Sequence, residues 1–237
     1  MSDESTAVVE NEVVAESNAS PQILVFELEG AAIDGRAKLF DAAKSVFKAS
    51  GVKLSDTQFA SVCTQSAVPA IIEKLIVDFG GEKIDDSAAD KIFEAYVSGF
   101  SKNVHVHPLF TKVIEEAAKR GIDTYAISSL PEGVANAALK SSGLDKHNVD
   151  LRVFPSEERH FPRVDCWMKV GREVLRTPRN CIAIAGCRDS GKSALSAGMC
   201  SVIIPDQYTS YQDFGGADAI LENIEDCNVQ DLFDSFS

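Results

Sequence analysis

The eight residues GCRDSGKS, Gly186 to Ser193, match the nucleotide-loop pattern G-x-x-x-x-G-K-[ST] without deviation. In such a loop a glycine-rich turn between strand and helix aims backbone N–H groups at phosphate. The lysine and hydroxyl, here Lys192 and Ser193, serve the phosphates and Mg²⁺. A second group with chemical content is the acid pair of "VFELEG", Glu27 and Glu29. Two residues apart on a strand, both side chains leave the same face at its end. They can be ligands for a metal or a proton or, more plainly, solvated acids. Ser128 and Ser129 close another apolar run ahead of "PEG", where hydroxyls cap helices. His105 and His107 alternate as metal ligands do, but two are too few for a site, and they read as part of a hinge. Trp167 reads as a core residue.

The elements that must position these groups follow from periodicity. "QILVFELEG" is a short apolar run stopped by Gly30, a buried strand. From about Gly35 to Lys102 the pattern is helical throughout, with four helices and no strand between them. Strand and helix then alternate: "LFTKVIEEAAKRG", "IDTYAISS", "PEGVANAALKSSG", "VDLRVFP", "DCWMKVGREVLR", "CIAIAG", "KSALSAG" and "CSVIIP". Such βα units imply a mainly parallel sheet with helices on both faces. Its ligand site lies at the C-terminal strand ends, which hold Glu27, Ser128 and the loop Ala185 to Asp189.

The bulk of the chain narrows the partners. Its 237 residues are 45% apolar and 25% charged, as in an ordinary soluble globular protein. A net charge of −13 argues against nucleic-acid or anionic-membrane binding through general electrostatics, though a local nest of N–H groups can still hold a small anion. Six scattered cysteines, with no C-x-x-C, imply buried free thiols in the cytoplasm or another reducing intracellular compartment. No apolar run approaches the ~20 residues of a membrane span, and the first residues lack the basic patch and apolar core expected of a signal peptide. Residues 1–20 carry five acids and no Lys or Arg, and are expected to be a disordered acidic tail.

The three strand ends are where the haloacid dehalogenase superfamily of phosphatases keeps its motifs. The chain resembles that family over about residues 21–226, and within it the CbbY and β-phosphoglucomutase-like branch. "VFELEGAAID" resembles the first motif, D-x-D-G-T-L-x-D, with Gly30 and Asp34 matching, Glu27 and Glu29 in place of both aspartates, and Ala31 at the Thr position. "TYAISSLP" fits the second motif, which puts Ser128, with Ser129 beside it, at the phosphate-binding hydroxyl. "FPRVDCW" lies over K-P-x-P-D with Phe161 replacing the lysine, and Ala185 and Gly186 replace the acidic pair that holds Mg²⁺. "QYTSYQDFGGADAILENIED" resembles the branch's Y-T-x-x-x-D-F-x-x-A-D segment. The resemblance implies an α/β fold, a Rossmannoid parallel-sheet core built from 21–34 and 103–237, with a C1-type helical cap over 35–102. It also realigns Gly186–Ser193 without a gap, leaving the nucleotide loop as a minor reading.

The same resemblance assigns the site. Glu27 stands at the nucleophile position and Glu29 at the acid–base position, each with one methylene more than the family's aspartate. A displacement of about 1 Å can cost a hundredfold in rate. Asp189 is a candidate metal ligand with Glu27, and Lys192, Arg159 or Arg163 are candidates to replace the lysine's charge. The expectation is a catalytically degenerate phosphatase fold acting as a binding or regulatory protein, with no cofactor and Mg²⁺ only if it is active. Its partner would be a small phosphorylated metabolite or another protein. The alternatives are a slow or altered Mg²⁺-dependent phosphatase using Glu27, and a nucleotide binder through Gly186–Ser193. Gly186 is further expected to need a positive φ, which would hinder an acid there.

Overall fold

The computed structural model describes residues 23–236 apart from 86, 102, 155–160, 224, 226 and 227. The acidic tail, Arg159 and Cys227 lie outside the described residues. Strand β1 (Ile23–Glu27) is buried along its whole length, as a strand covered on both faces must be. The chain then makes a wide π-type turn, Leu28–Ala32, closed by the Ile33 N–H on the Leu28 carbonyl at 3.0 Å. The sequence suggests a strand carrying both acids, but Glu29 falls on this turn.

Helices α1 (Gly35–Ala49), α2 (Asp56–Val62), α3 (Val68–Leu75) and α4 (Ala88–Ser98) follow, and no strand lies among the described residues between 35 and 101. Each starts where the sequence supplies a signal. Ser55 and Gln58 form a reciprocal capping box at α2, and Pro69 sits in the first turn of α3. The rest alternates: α5 (Pro108–Lys119), β2 (Asp123–Ser128), α6 (Glu132–Ser142), β3 (Asp150–Val153), α7 (Val164–Glu173), β4 (Cys181–Ala185), α8 (Arg188–Ser196) and β5 (Cys200–Ile203). Strand β6 (Ala219–Ile220) and helix α9 (Val229–Ser235), capped by Asn228, complete the fold and have no counterpart in the sequence reading.

The six strands are parallel and lie in the order β3-β2-β1-β4-β5-β6. Chain order reverses on either side of β1, so the crevice at the C-terminal ends of β1 and β4 is the topological switch point. Alternation along β1 sends Leu24 and Phe26 into one apolar cluster and Ile23 and Val25 into another. The first cluster runs without a break from the sheet into the helices at 35–101, through Leu39, Phe47, Phe59 and Tyr96. The second holds Trp167 and Phe161 against Ala183. Trp167 is fully buried, as its sequence context suggests.

The two chain crossings into the helical block are stitched together. Ile33 and Val106 form an antiparallel bridge, the Asp34 N–H donates to the His105 carbonyl, and the His107 N–H donates to the Ala32 carbonyl. His105 and His107 thus lie on the crossing itself. On the far side, Gln212 accepts from the Arg188 N–H and donates to the Cys63 carbonyl, both at 2.8 Å. The Tyr211 hydroxyl donates to the Ala60 carbonyl.

Candidate functional site at the strand ends

Glu27 and Glu29 do come together, but neither is solvated: they are 3% and 6% exposed and line one cavity of about 20 Å³, room for about one water molecule. Ser129 lines it from the sheet side, Arg36, Val68, Ile71 and Tyr96 from the helices, and Phe161 fills the place of the motif lysine. The reading of the two acids as solvated is therefore corrected. The helical block packs over them.

Glu29 turns away from this cavity's centre toward β2. Its Oε2 accepts from the Ser128 hydroxyl at 2.8 Å, and its Oε1 accepts from the Ser129 N–H at 2.7 Å and the Ser129 hydroxyl at 2.8 Å. Three donors around one carboxylate is what an anion cradle offers, and here a side chain of the protein fills it. Neither serine caps α6, whose cap position is Pro131 with no side-chain bond. Burial pushes the Glu29 carboxyl above its ordinary range, and these hydrogen bonds pull against it.

Glu27 points the other way, toward β4 and α8. Its Oε1 accepts from the Gly186 N–H at 3.3 Å and from the Ser190 hydroxyl. Burial raises its carboxyl to about 8, against the opposing pull of the Arg36 charge. Arg36 itself is only 6% exposed. Its guanidinium donates to the Gly30 carbonyl at 2.6 Å and to Asp206 Oδ2 at 3.2 Å. Burial works against its charge, but Asp206, with Cys187, Cys63 and Glu27 around it, more than offsets this, so Arg36 stays protonated.

Arg36, Asp206 and Ser190 are absent from the sequence-derived site. A signal for Arg36 was available: it precedes Leu39, Phe40, Ala43 and Phe47 on the buried stripe of α1, where a cation needs a partner. Nothing in the sequence names that partner, because Asp206 lies 170 residues away.

Other candidates are placed elsewhere. Asp189 is exposed beside Arg188 and does not line the cavity, and no group of three metal-ligating side chains occurs among the described residues. Arg163 holds Asp165 through two bonds of 3.0 and 2.7 Å at the start of α7, away from the cavity. Lys192 is exposed and faces Phe214 and Ile203 instead. His105 and His107 line a separate cavity of about 280 Å³ at the crossing, with Asp34, Asp206 and Tyr208.

The nucleotide-loop reading is corrected by the start of α8. The helix begins at Arg188, so no wide loop separates β4 from it, and Gly191 lies inside the helix. A Cβ on Gly191 would meet Ile203 Cδ1 at 2.4 Å, so this glycine serves helix–sheet packing. Ser193 accepts from the Trp167 indole at 2.8 Å. Gly186 is not in the positive-φ region either. What excludes a side chain there is contact: a Cβ would lie 1.7 Å from the Gly30 carbonyl oxygen and 2.9 Å from the Arg36 guanidinium.

The family that the sequence resembles holds Mg²⁺ at this place, and the residues here do not fit that ion. Hard divalent ions want several free oxygens. Ala185 and Gly186 bring no side-chain oxygen, the oxygens of Gly30 and Asp206 accept from a guanidinium, and Glu27 Oε1 is taken by Gly186 and Ser190. Cys63, Cys181, Cys187 and Cys200 are free thiols. Burial raises the Cys63 thiol to about 12 and the Cys187 thiol to about 11, as inert core thiols require.

No family model matches the sequence, and no curated protein does. Solved structures do match. CbbY from Rhodobacter sphaeroides in complex with phosphate superposes with a TM-score of 0.69 at 18% identity, over 84% of this chain and 93% of that one. A haloacid dehalogenase-like family hydrolase from Streptococcus pneumoniae gives 0.69 at 14% identity, over 93% and 100%. The β-phosphoglucomutase of Clostridium difficile gives 0.66 at 16%, over 91% and 96%. No helix among the described residues is long and apolar enough to cross a membrane. The parallel sheet, its strand order and these superpositions agree: the chain has the fold of the haloacid dehalogenase-like phosphatases and phosphomutases.

Proposed function

We propose that this protein is a non-catalytic member of the phosphatase fold, with residues 35–102 as its cap, acting as a binding or regulatory protein. The observation that carries the reading is the Glu29 carboxylate in the Ser128–Ser129 cradle, held by three donors at 2.7–2.8 Å. A phosphate ester arriving there meets a filled anion site and a cavity of only about 20 Å³. Phe161 in place of a lysine leaves transferred charge without its neutraliser, and the misfit for Mg²⁺ removes the other. Of the two kinds of partner, another protein suits the filled site better than a small phosphorylated metabolite.

The test is hydrolysis of p-nitrophenyl phosphate by the full chain, with and without Mg²⁺. The expected rate equals background in both conditions and is the same for Glu27→Gln. Mg²⁺-dependent turnover abolished by Glu27→Gln overturns the reading and establishes a phosphatase working with glutamate. Nucleotide binding lost in Lys192→Ala overturns it in favour of a nucleotide binder.

A further inference from the structure

We propose that Arg36 is a built-in cation that takes the place of a divalent metal ion at the switch point of the sheet. The inference deepens the non-catalytic reading by naming what neutralises the site. It stands apart from that reading in its test, because metal-independent hydrolysis would sink the proposed function and leave Arg36 untouched.

Three observations converge. First, the guanidinium is buried, 6% exposed, and its contacts are with oxygens: the Gly30 carbonyl at 2.6 Å and Asp206 Oδ2 at 3.2 Å. A carbonyl oxygen and a carboxylate, with Glu27 beside them, are ligands of the kind that a hard divalent ion collects. Secondly, the guanidinium stands beside position 186, one of the two where the resembling family has its metal-holding acids: a Cβ built on Gly186 lies 2.9 Å from its nitrogen, behind a closer collision at 1.7 Å with the Gly30 carbonyl oxygen that Arg36 itself holds. Thirdly, the charges match. Asp206 faces one fixed positive charge, and a divalent ion added beside that charge would meet repulsion.

The experiment is thermal unfolding of the full chain in EDTA and in millimolar Mn²⁺, with Mn²⁺ binding followed by electron paramagnetic resonance. Wild type is expected to bind no Mn²⁺ and to keep the same midpoint in both buffers. Arg36→Met leaves the half-buried Asp206 without its cation and removes two hydrogen bonds of a buried guanidinium, so its midpoint is expected to fall by roughly 5 °C in EDTA. Mn²⁺ should then restore at least half of that loss. Arg36→Gln, which keeps a donor for Gly30 but no charge, should behave alike. Adding Asp206→Asn to Arg36→Met removes the anion and should abolish the Mn²⁺ response. Wild-type Mn²⁺ binding that Glu27→Gln removes would overturn the proposal. So would single variants that ignore Mn²⁺, whether folded or unfolded, because an ion in excess would then fail to replace the guanidinium. A double variant that still responds would overturn it as well.

Discussion

One methylene decides where the second carboxylate of the first motif goes. Glu29 is long enough to reach Ser128 and Ser129 across the strand ends, and it spends both oxygens there. Glu29→Ala should empty the cradle and leave its donors unmet, at a cost of about 1–3 kcal/mol. Calorimetric titration with inorganic phosphate should show binding for the variant and none for wild type; silence in both would mean that the cradle is not an anion site. Glu27 carries a pH dependence. Its folded value, about 8, lies above the ordinary 4.5, so the folded chain holds a proton that the unfolded chain gives up. Stability therefore falls as pH climbs from about 4.5 to about 8, by up to ~1.4 kcal/mol per unit. Glu27→Gln should flatten the profile, and urea melts at pH 6 and pH 8 that shift equally in both proteins would refute it. Gly186→Asp should destabilise by about 3 kcal/mol or more, through collision with the Gly30 carbonyl rather than through φ. Urea midpoints of Gly186→Ala and Gly186→Asp measure this. The acids and serines were legible in the sequence because strand ends can be read from apolar runs. Their partners were not, since Arg36, Ser190 and Asp206 meet them only through the fold.

At the scale of elements, long periodic segments were legible and short ones were not. The helices from Gly35 to Ser98 and the buried strands declare themselves by spacing and stop signals. A turn of five residues, a strand of two and a capped helix of seven carry too few residues to show a period. Helix α8 shows how a short motif misleads. The motif's two glycines, Gly186 before the helix and Gly191 within it, answer packing demands against Gly30 and Ile203, and its hydroxyls hold Glu27 and Trp167. Lys192→Ala should change stability by less than ~0.5 kcal/mol, as for any exposed residue. Ser193→Ala leaves the Trp167 indole unpaired and should cost about 1–3 kcal/mol. Chemical denaturation of the two variants separates a structural helix from a phosphate loop, which would make Lys192 the more sensitive position in a nucleotide-binding assay.

Across the whole molecule, one apolar cluster joins the sheet to the helices at 35–101, and the rings of Phe40 and Phe59 pack on Tyr208 at 5.6 and 4.8 Å. The helices at 35–101 and the sheet should therefore melt together. Scanning calorimetry is expected to give one transition with equal calorimetric and van't Hoff enthalpies, and two resolved peaks would show separate units. The bridge between Ile33 and Val106 has a consequence for exchange of parts. Because the chain leaves and re-enters the sheet side by side, everything between those two residues is a cassette with adjoining ends, the arrangement in which domain insertion is tolerated. A foreign helical segment can be spliced there without moving a strand. Only a segment that brings its own oily underside to Tyr208 will be accepted, and one that leaves that ring bare will give a sticky, aggregating core.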